Sequence, residues 1–306
     1  MKCAYCGNEA KGTKEHIISC AILDLFPECY ITFDDARNKI HESDPMIKDV
    51  CADCNNNKIS YIDSFAKEFI GQYFIEKHSE DSAVEIEYDY VMIQKMLLKY
   101  AFNDLRSHKE DCSFFDQEML HYLMNICDNV PKENVTVLCG LAVNVSPVPD
   151  AMFGNLKLRW CKNPFFYSNS TIRNINYETG QVFLNENVEK EEFPDLKFSY
   201  LFRFNSVQFL LMCWENNSDK IEQNNIVLKC QYPYYLMNAS DKKATIPICT
   251  DELNYHKFEH IHVKWDGLFE VGLMRRCASG GTYEYKKSYE KEWIAEEKRI
   301  REEHPR

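Results

Sequence analysis

Apolar residues recur at three- and four-residue steps through Ile59, Ile62, Phe65, Ala66, Phe69, Ile70 and Tyr73. That spacing lines one face of a helix, so a helix of roughly 15–20 residues is expected after Cys54. A second helix is expected over about Tyr88–Ser107, where Val91, Ile93, Met96, Leu97, Tyr100, Ala101 and Leu105 are apolar, and a third over about Phe114–Cys127, ending before Pro131. The pattern then turns to β-branched and alternating runs at Val135–Val145 and Leu156–Trp160. Glu178-Thr-Gly180 reads as a hairpin turn between Ile172–Asn176 and Val182–Asn185. Phe198–Trp214, the most hydrophobic run, is interrupted at Asn205-Ser206 and reads as two buried strands or one bent strand. Ile226–Gln231 and Ile261–Trp265 are further strand candidates, and Tyr283–Glu303 reads as a highly charged helix.

Upstream of the first helix the pattern is broken and turn-rich. Thr13 to Ile18 reads as a loop entering a short strand, with Ile17 and Ile18 packing beneath and His16 pointing out. A short helix near Ala21–Phe26 is stopped by Pro27. A strand follows at Tyr30–Phe33, Asp44-Pro45 marks a turn, and Ile47–Val50 leads to a second cysteine pair. The acidic stretch within 76–88 marks a boundary. The expected fold class is α+β, with a unit at 1–80 and a larger α+β unit at 81–306.

Charge narrows the function. A net charge of −12 over 306 residues argues against a protein that coats nucleic acid through a basic surface. It leaves room for an enzyme with a local basic groove and a metal. The fourteen cysteines do not form a disulfide framework by their spacing: four lie in two pairs and most others sit singly in apolar contexts such as Leu-Leu-Met-Cys213-Trp. That usage suits a reducing cytoplasm. Neither a leader-like apolar stretch at the N-terminus nor a membrane-length apolar run is visible, so no membrane partner is expected.

The pairs carry the chemistry. Cys3-Ala-Tyr-Cys6 and Cys51-Ala-Asp-Cys54 can present four thiolates to one structural Zn²⁺, with Gly7 and Gly12 permitting tight turns. Closing the pairs on one metal brings His16 near Asn55. An imidazole can deprotonate water at neutral pH. The carboxylate of Glu15 and the amide oxygen of Asn55 are hard donors suited to Mg²⁺ or Mn²⁺. Lys58, three residues beyond Asn55 on the same expected helical face, can meet a phosphate. On residue types alone these are the parts of a one-metal phosphodiesterase, with a zinc-stabilised binding module as the alternative. Several other polar groups have bland readings: His260-Ile-His262 as a surface pair, Gly280-Gly281 as a turn, and Arg275-Arg276 and Lys286-Lys287 as basic spots. Asn103-Asp-Leu-Arg106 is either a contact between the two units or a helix cap.

Taken together, C-x-x-C, then Lys14-Glu15-His16 before apolar residues, then Val50-Cys-x-x-Cys-Asn55-x-x-Lys58 resembles the His-Asn-His (HNH) endonucleases of the ββα-metal fold, in their zinc-knuckle branch. The resemblance covers about residues 1–75. It implies an endonuclease with His16 as general base and Glu15 and Asn55 as ligands of a catalytic Mg²⁺ or Mn²⁺. Its substrate would be nucleic acid, with DNA preferred. Glu15 stands where the family usually has Asp. The family's middle Asn, which stiffens the loop by hydrogen bonding, falls near Met46 here, with His41 and Asn38 as loose substitutes. The larger unit would serve substrate engagement, oligomerisation with a second copy or a protein partner, or control, as in a regulated effector of bacterial defence.

Overall fold

A computed structural model describes residues 1–26, 32–34, 39–41, 45–76, 78, 83–127, 129–142, 158–166, 172–176, 181–184, 191–216, 218–249 and 261–262. The elements in order are β1 (Gly12–His16), α1 (Cys20–Leu23), β2 (Thr32–Asp34), β3 (Lys39–His41) and β4 (Met46–Cys51), then a π-helical turn at Cys54–Lys58 and α2 (Ser60–Tyr73). After β5 (Val84–Glu87) come α3 (Tyr90–His108), α4 (Gln117–Leu123), β6 (Val135–Leu141), β7 (Leu158–Lys162), β8 (Phe165–Phe166), β9 (Ile172–Asn176) and β10 (Gln181–Leu184). The rest is β11 (Leu196–Phe204), β12 (Val207–Trp214), α5 (Ile221–Gln231), β13 (Tyr235–Leu236), β14 (Lys243–Ile246) and β15 (Ile261–His262). The fold is α+β, as expected.

β1 and β4 pair antiparallel, from Gly12 opposite Cys51 to His16 opposite Met46, and α2 follows directly. The larger sheet has the strand order β13-β6-β12-β11-β7, all antiparallel. The apolar run 198–214 is the β11–β12 hairpin, turning at Asn205, whose φ of 50° is left-handed. Side chains alternate across the sheet. Tyr200, Phe202, Phe204, Phe209 and Leu211 pack toward α2 and α3, whereas Leu201, Leu210, Met212 and Trp214 pack toward Leu228 of α5. The hairpin turn also caps α2: Asn205 Nδ2 donates to Phe74 O (2.9 Å) and Ser206 Oγ donates to the same carbonyl (3.0 Å).

α3 is the central element. Asp89 caps its start by accepting from the Met92 N–H, and Lys109 ends it in the left-handed conformation. It is buried almost all round, and one continuous core joins Cys3, Tyr5 and Ile18 to Phe102, Tyr200 and Ile246. Residues from 1–80 and from 81–306 therefore share this core. Tyr5 meets Phe102 edge-on at 5.3 Å within it.

Several element expectations need correction. Ile226–Gln231 lies in a helix. Asn224 and Leu228 form its buried i, i+4 pair, while Ile226 is 58% exposed, the reverse of a strand alternation centred on 226. The third helix is shorter than expected, starting after Asp116, whose side chain accepts from the Met119 N–H, and ending before Asn125 at a φ of 58°. Helix α2 begins at Ser60, because Cys54–Lys58 forms a wider π turn closed by Ile59 N–H to Cys54 O (3.0 Å). The expected hairpin turn at 178–180, Asn38, the Arg275, Gly280 and Lys286 pairs and the tail helix lie outside the described residues. Only the backbone of His41 and His262 is described.

Candidate functional site

Two knuckles converge at one end of the β1–β4 pair. The first is a tight turn: Gly7 takes a φ of 72°, its N–H donates to Cys3 O, and the Cys3 N–H donates to Asn8 O. The second joins the end of β4 to the π turn. Ala4 N–H to Asp49 O (2.8 Å) locks the two together. Gly12 is required by close approach, since a Cβ there would sit 2.4 Å from Lys48 O.

The sulfurs of Cys3, Cys6, Cys51 and Cys54 all lie within 4.8 Å of one another, and the four cysteines could hold a metal ion. Cys6 Sγ and Cys51 Sγ are 3.8 Å apart, about the edge of a tetrahedron with ~2.3 Å metal–sulfur bonds. The Cys51 N–H points at Cys3 Sγ (3.3 Å) and the Cys54 N–H at Cys51 Sγ (3.5 Å). Burial pushes the Cys3 thiol up, but backbone N–H groups of Cys6, Cys51 and Tyr5 outweigh it and bring it down to about 7. Burial raises Cys51, against hydrogen bonds from Cys54 that lower it, and raises Cys54, where the neighbouring thiols add to the rise. Four thiolates so close need a cation to coexist, and a coordinating dication deprotonates thiols outright. Met124, just beyond α4, covers the cluster, with Cys54 Sγ 3.9 Å from its Sδ.

Asn55 ties the knuckle to β1. Its Nδ2 donates to Lys14 O and Thr13 Oγ1, both at 3.0 Å, and Thr13 Oγ1 donates to Val50 O (2.9 Å). The amide oxygen, the end that binds metals, is not consumed by these contacts. Lys58 turns toward Asp53 (2.9 Å), whose hydrogen bond raises the lysine pKa.

Glu15 and His16 are neighbours on a strand, so their side chains leave on opposite faces. His16 is half-buried at the strand end, with Ile17 and Ile18 buried after it. Glu15 is 4% exposed and enters a polar cluster presented by α3. Lys99 Nζ lies 2.9 Å from Glu15 Oε1 and 2.6 Å from Asp63 Oδ1. Asn103 Nδ2 donates to Glu15 Oε1 (3.2 Å), His16 O (2.9 Å) and Ile17 O (3.3 Å). Arg106 joins Asp49 and Asn103, each at 2.5 Å. Next to Asn103, Asp104 accepts from Trp160 Nε1 (2.8 Å) and Tyr200 Oη (2.9 Å), fastening α3 to the sheet. The Asn103–Arg106 stretch is thus a contact between the N-terminal strands and the sheet. Nothing in the local sequence around Lys99 marks it as a site residue. The available signal was polar residues at 95, 99 and 103, steps of four along an otherwise apolar helix.

Comparison with protein-family models, curated proteins and solved structures finds no match to this chain. Among the described residues no helix is long and apolar enough to cross a membrane.

Proposed function

We propose that the chain is a metal-dependent endonuclease of the HNH type, with Zn²⁺ on the four cysteines and DNA as its substrate. The observation that carries this reading is the bond from Asn55 to Lys14 O. The residue after the last cysteine is thereby held against the strand that bears Glu15 and His16. His16 takes a proton from the attacking water. Asn55 Oδ1 and the carboxylate of Glu15, held by Lys99 and Asn103 through Oε1, are the hard oxygens for Mg²⁺ or Mn²⁺. Such an ion, when bound, neutralises charge on the scissile phosphate. Lys58 is near enough in sequence to engage a flanking phosphate, at the expense of its pairing with Asp53. A role as a regulated effector in bacterial defence, in a cytoplasmic setting and with a second copy or protein partner, extends this proposal.

One observation favours a second reading, a non-catalytic zinc-bearing module that binds a protein: Glu15 already has a cation, the Lys99 ammonium. Plasmid cleavage by the full chain in Mg²⁺ or Mn²⁺, beside His16→Ala, separates the two. The nuclease reading expects a loss of about 10²- to 10⁴-fold in the variant. Absence of cleavage in either metal, or equal cleavage by His16→Ala, selects the binding module. Metal analysis of the purified chain tests for one zinc.

A further inference from the structure

The backbone just after Glu15 is gripped from outside the N-terminal stretch. Asn103 is fully buried, and its Nδ2 faces three oxygens: His16 O, Ile17 O and Glu15 Oε1. Its Oδ1 accepts from Tyr5 Oη (3.3 Å) and Arg106 Nη2 (2.5 Å). Donors on one end and acceptors on the other fix the orientation of this amide, because a flip would set oxygen against three oxygens.

The β1–β4 ladder runs out at the same place. His16 is the last residue paired across the strands, and Ile17 N–H reaches Pro45 O (3.0 Å). Beyond that, the carbonyls of 16 and 17 receive hydrogen bonds from Asn103. Arg106 extends the grip to β4 through Asp49, and its guanidinium lies over the Tyr5 and Phe102 rings. One amide therefore holds both the main chain that carries His16 and the carboxylate of Glu15.

We infer that Asn103 is a positioning residue for the reaction. It fixes the direction from which the His16 imidazole approaches water and the rotamer in which Glu15 is presented. This inference rests on the nuclease reading of the same site. Groups that orient a catalytic side chain act through geometry, so their loss lowers turnover more than substrate binding.

The test uses the full chain with three substitutions. Asn103→Asp keeps an acceptor for Tyr5 and Arg106 but removes the donor. Asn103→Leu removes the donor without adding charge and stands in if the first variant does not fold. Asn103→Gln retains the amide. Plasmid cleavage gives kcat and KM, thermal melting reports folding, and amide hydrogen exchange reports residues 12–19. For the donor-less variants the expected result is a kcat about 10- to 100-fold lower with KM little changed. Exchange should rise around residues 16–18, and Asn103→Gln should recover part of the rate. If the wild type cleaves and the donor-less variants match its kcat, or lose activity only in proportion to their folded fraction, the positioning role is overturned. A wild type that cleaves nothing in either metal sinks the nuclease reading itself, and the positioning role falls with it.

Discussion

Two polar clusters sit beside the β1–β4 pair, and they are built in opposite ways. The four cysteines come from two short turns within residues 3–54, and their supporting hydrogen bonds are made by nearby backbone. The Glu15 cluster is drawn from β1, α2 and α3, with partners as far apart in sequence as Glu15 and Asn103. The first cluster gathers four cysteines that could hold a metal ion. The second carries its own cation in Lys99. An ion from solution would complete the first, whereas the chain itself completes the second.

With zinc on the four cysteines, as proposed, removing the metal should have the largest effect, since structural zinc binding is worth on the order of 10 kcal/mol that folding shares. Cys54→Ser, or a strong chelator, should strip the ion and open residues 1–75 to limited proteolysis. If Cys54→Ser kept a full metal complement and resisted protease, the cysteines would not be the staple. Lys99→Met comes next. It leaves the buried Glu15 and the half-buried Asp63 without their lysine counter-ion, and for the buried carboxylate such a loss costs about 3–5 kcal/mol. Urea unfolding at neutral pH measures it, and an unchanged midpoint would show that the second cluster does not depend on its internal cation.

The smallest effect concerns pH. Burial raises the Asp63 pKa above 3.8, although Lys99 opposes the shift. The folded state therefore keeps this proton where the unfolded state has lost it. The group's contribution to stability is complete below 3.8 and declines as pH rises through its raised folded value. Asp63→Asn has no such proton, so its urea midpoint should vary less across that window. Identical pH profiles for the two chains would contradict the burial argument.

The contrast also explains what could be read from the sequence. Cysteine ligands announce themselves because two turns with fixed spacing are local features, and the helices at α2 and α3 follow from apolar periodicity. The short strand expected after a loop at Thr13 lies earlier, at Gly12–His16, whereas the expected burial of Ile17 and Ile18 holds just beyond its end. Asn103 and Arg106 were visible as polar residues late in a helix, but their partners were not. Choosing Asn103 as the amide that grips His16 O requires knowing that α3 docks on β1, which is a tertiary fact. The resemblance points to the neighbourhood of Met46 for a stiffening amide, and Asn103 lies far from there in sequence. The strand expected at Ile226–Gln231 failed for another reason: two β-branched residues outweighed a weak helical stripe whose buried face is Asn224 and Leu228.

The position of α3 sets an order of assembly during synthesis. The cysteine knuckles emerge before α3 is made. Until Lys99 and Asn103 arrive, Glu15 and Asp63 have no lysine between them and the end of β1 has no clamp. A product terminated before residue 103 would lack the Asn103 clamp on the strand end. On the nuclease reading, the chain withholds its cutting geometry from nascent and truncated copies of itself. Pulse-chase proteolysis of such fragments, with cleavage assayed at each length, would reveal activity appearing before α3 is complete if this order does not hold.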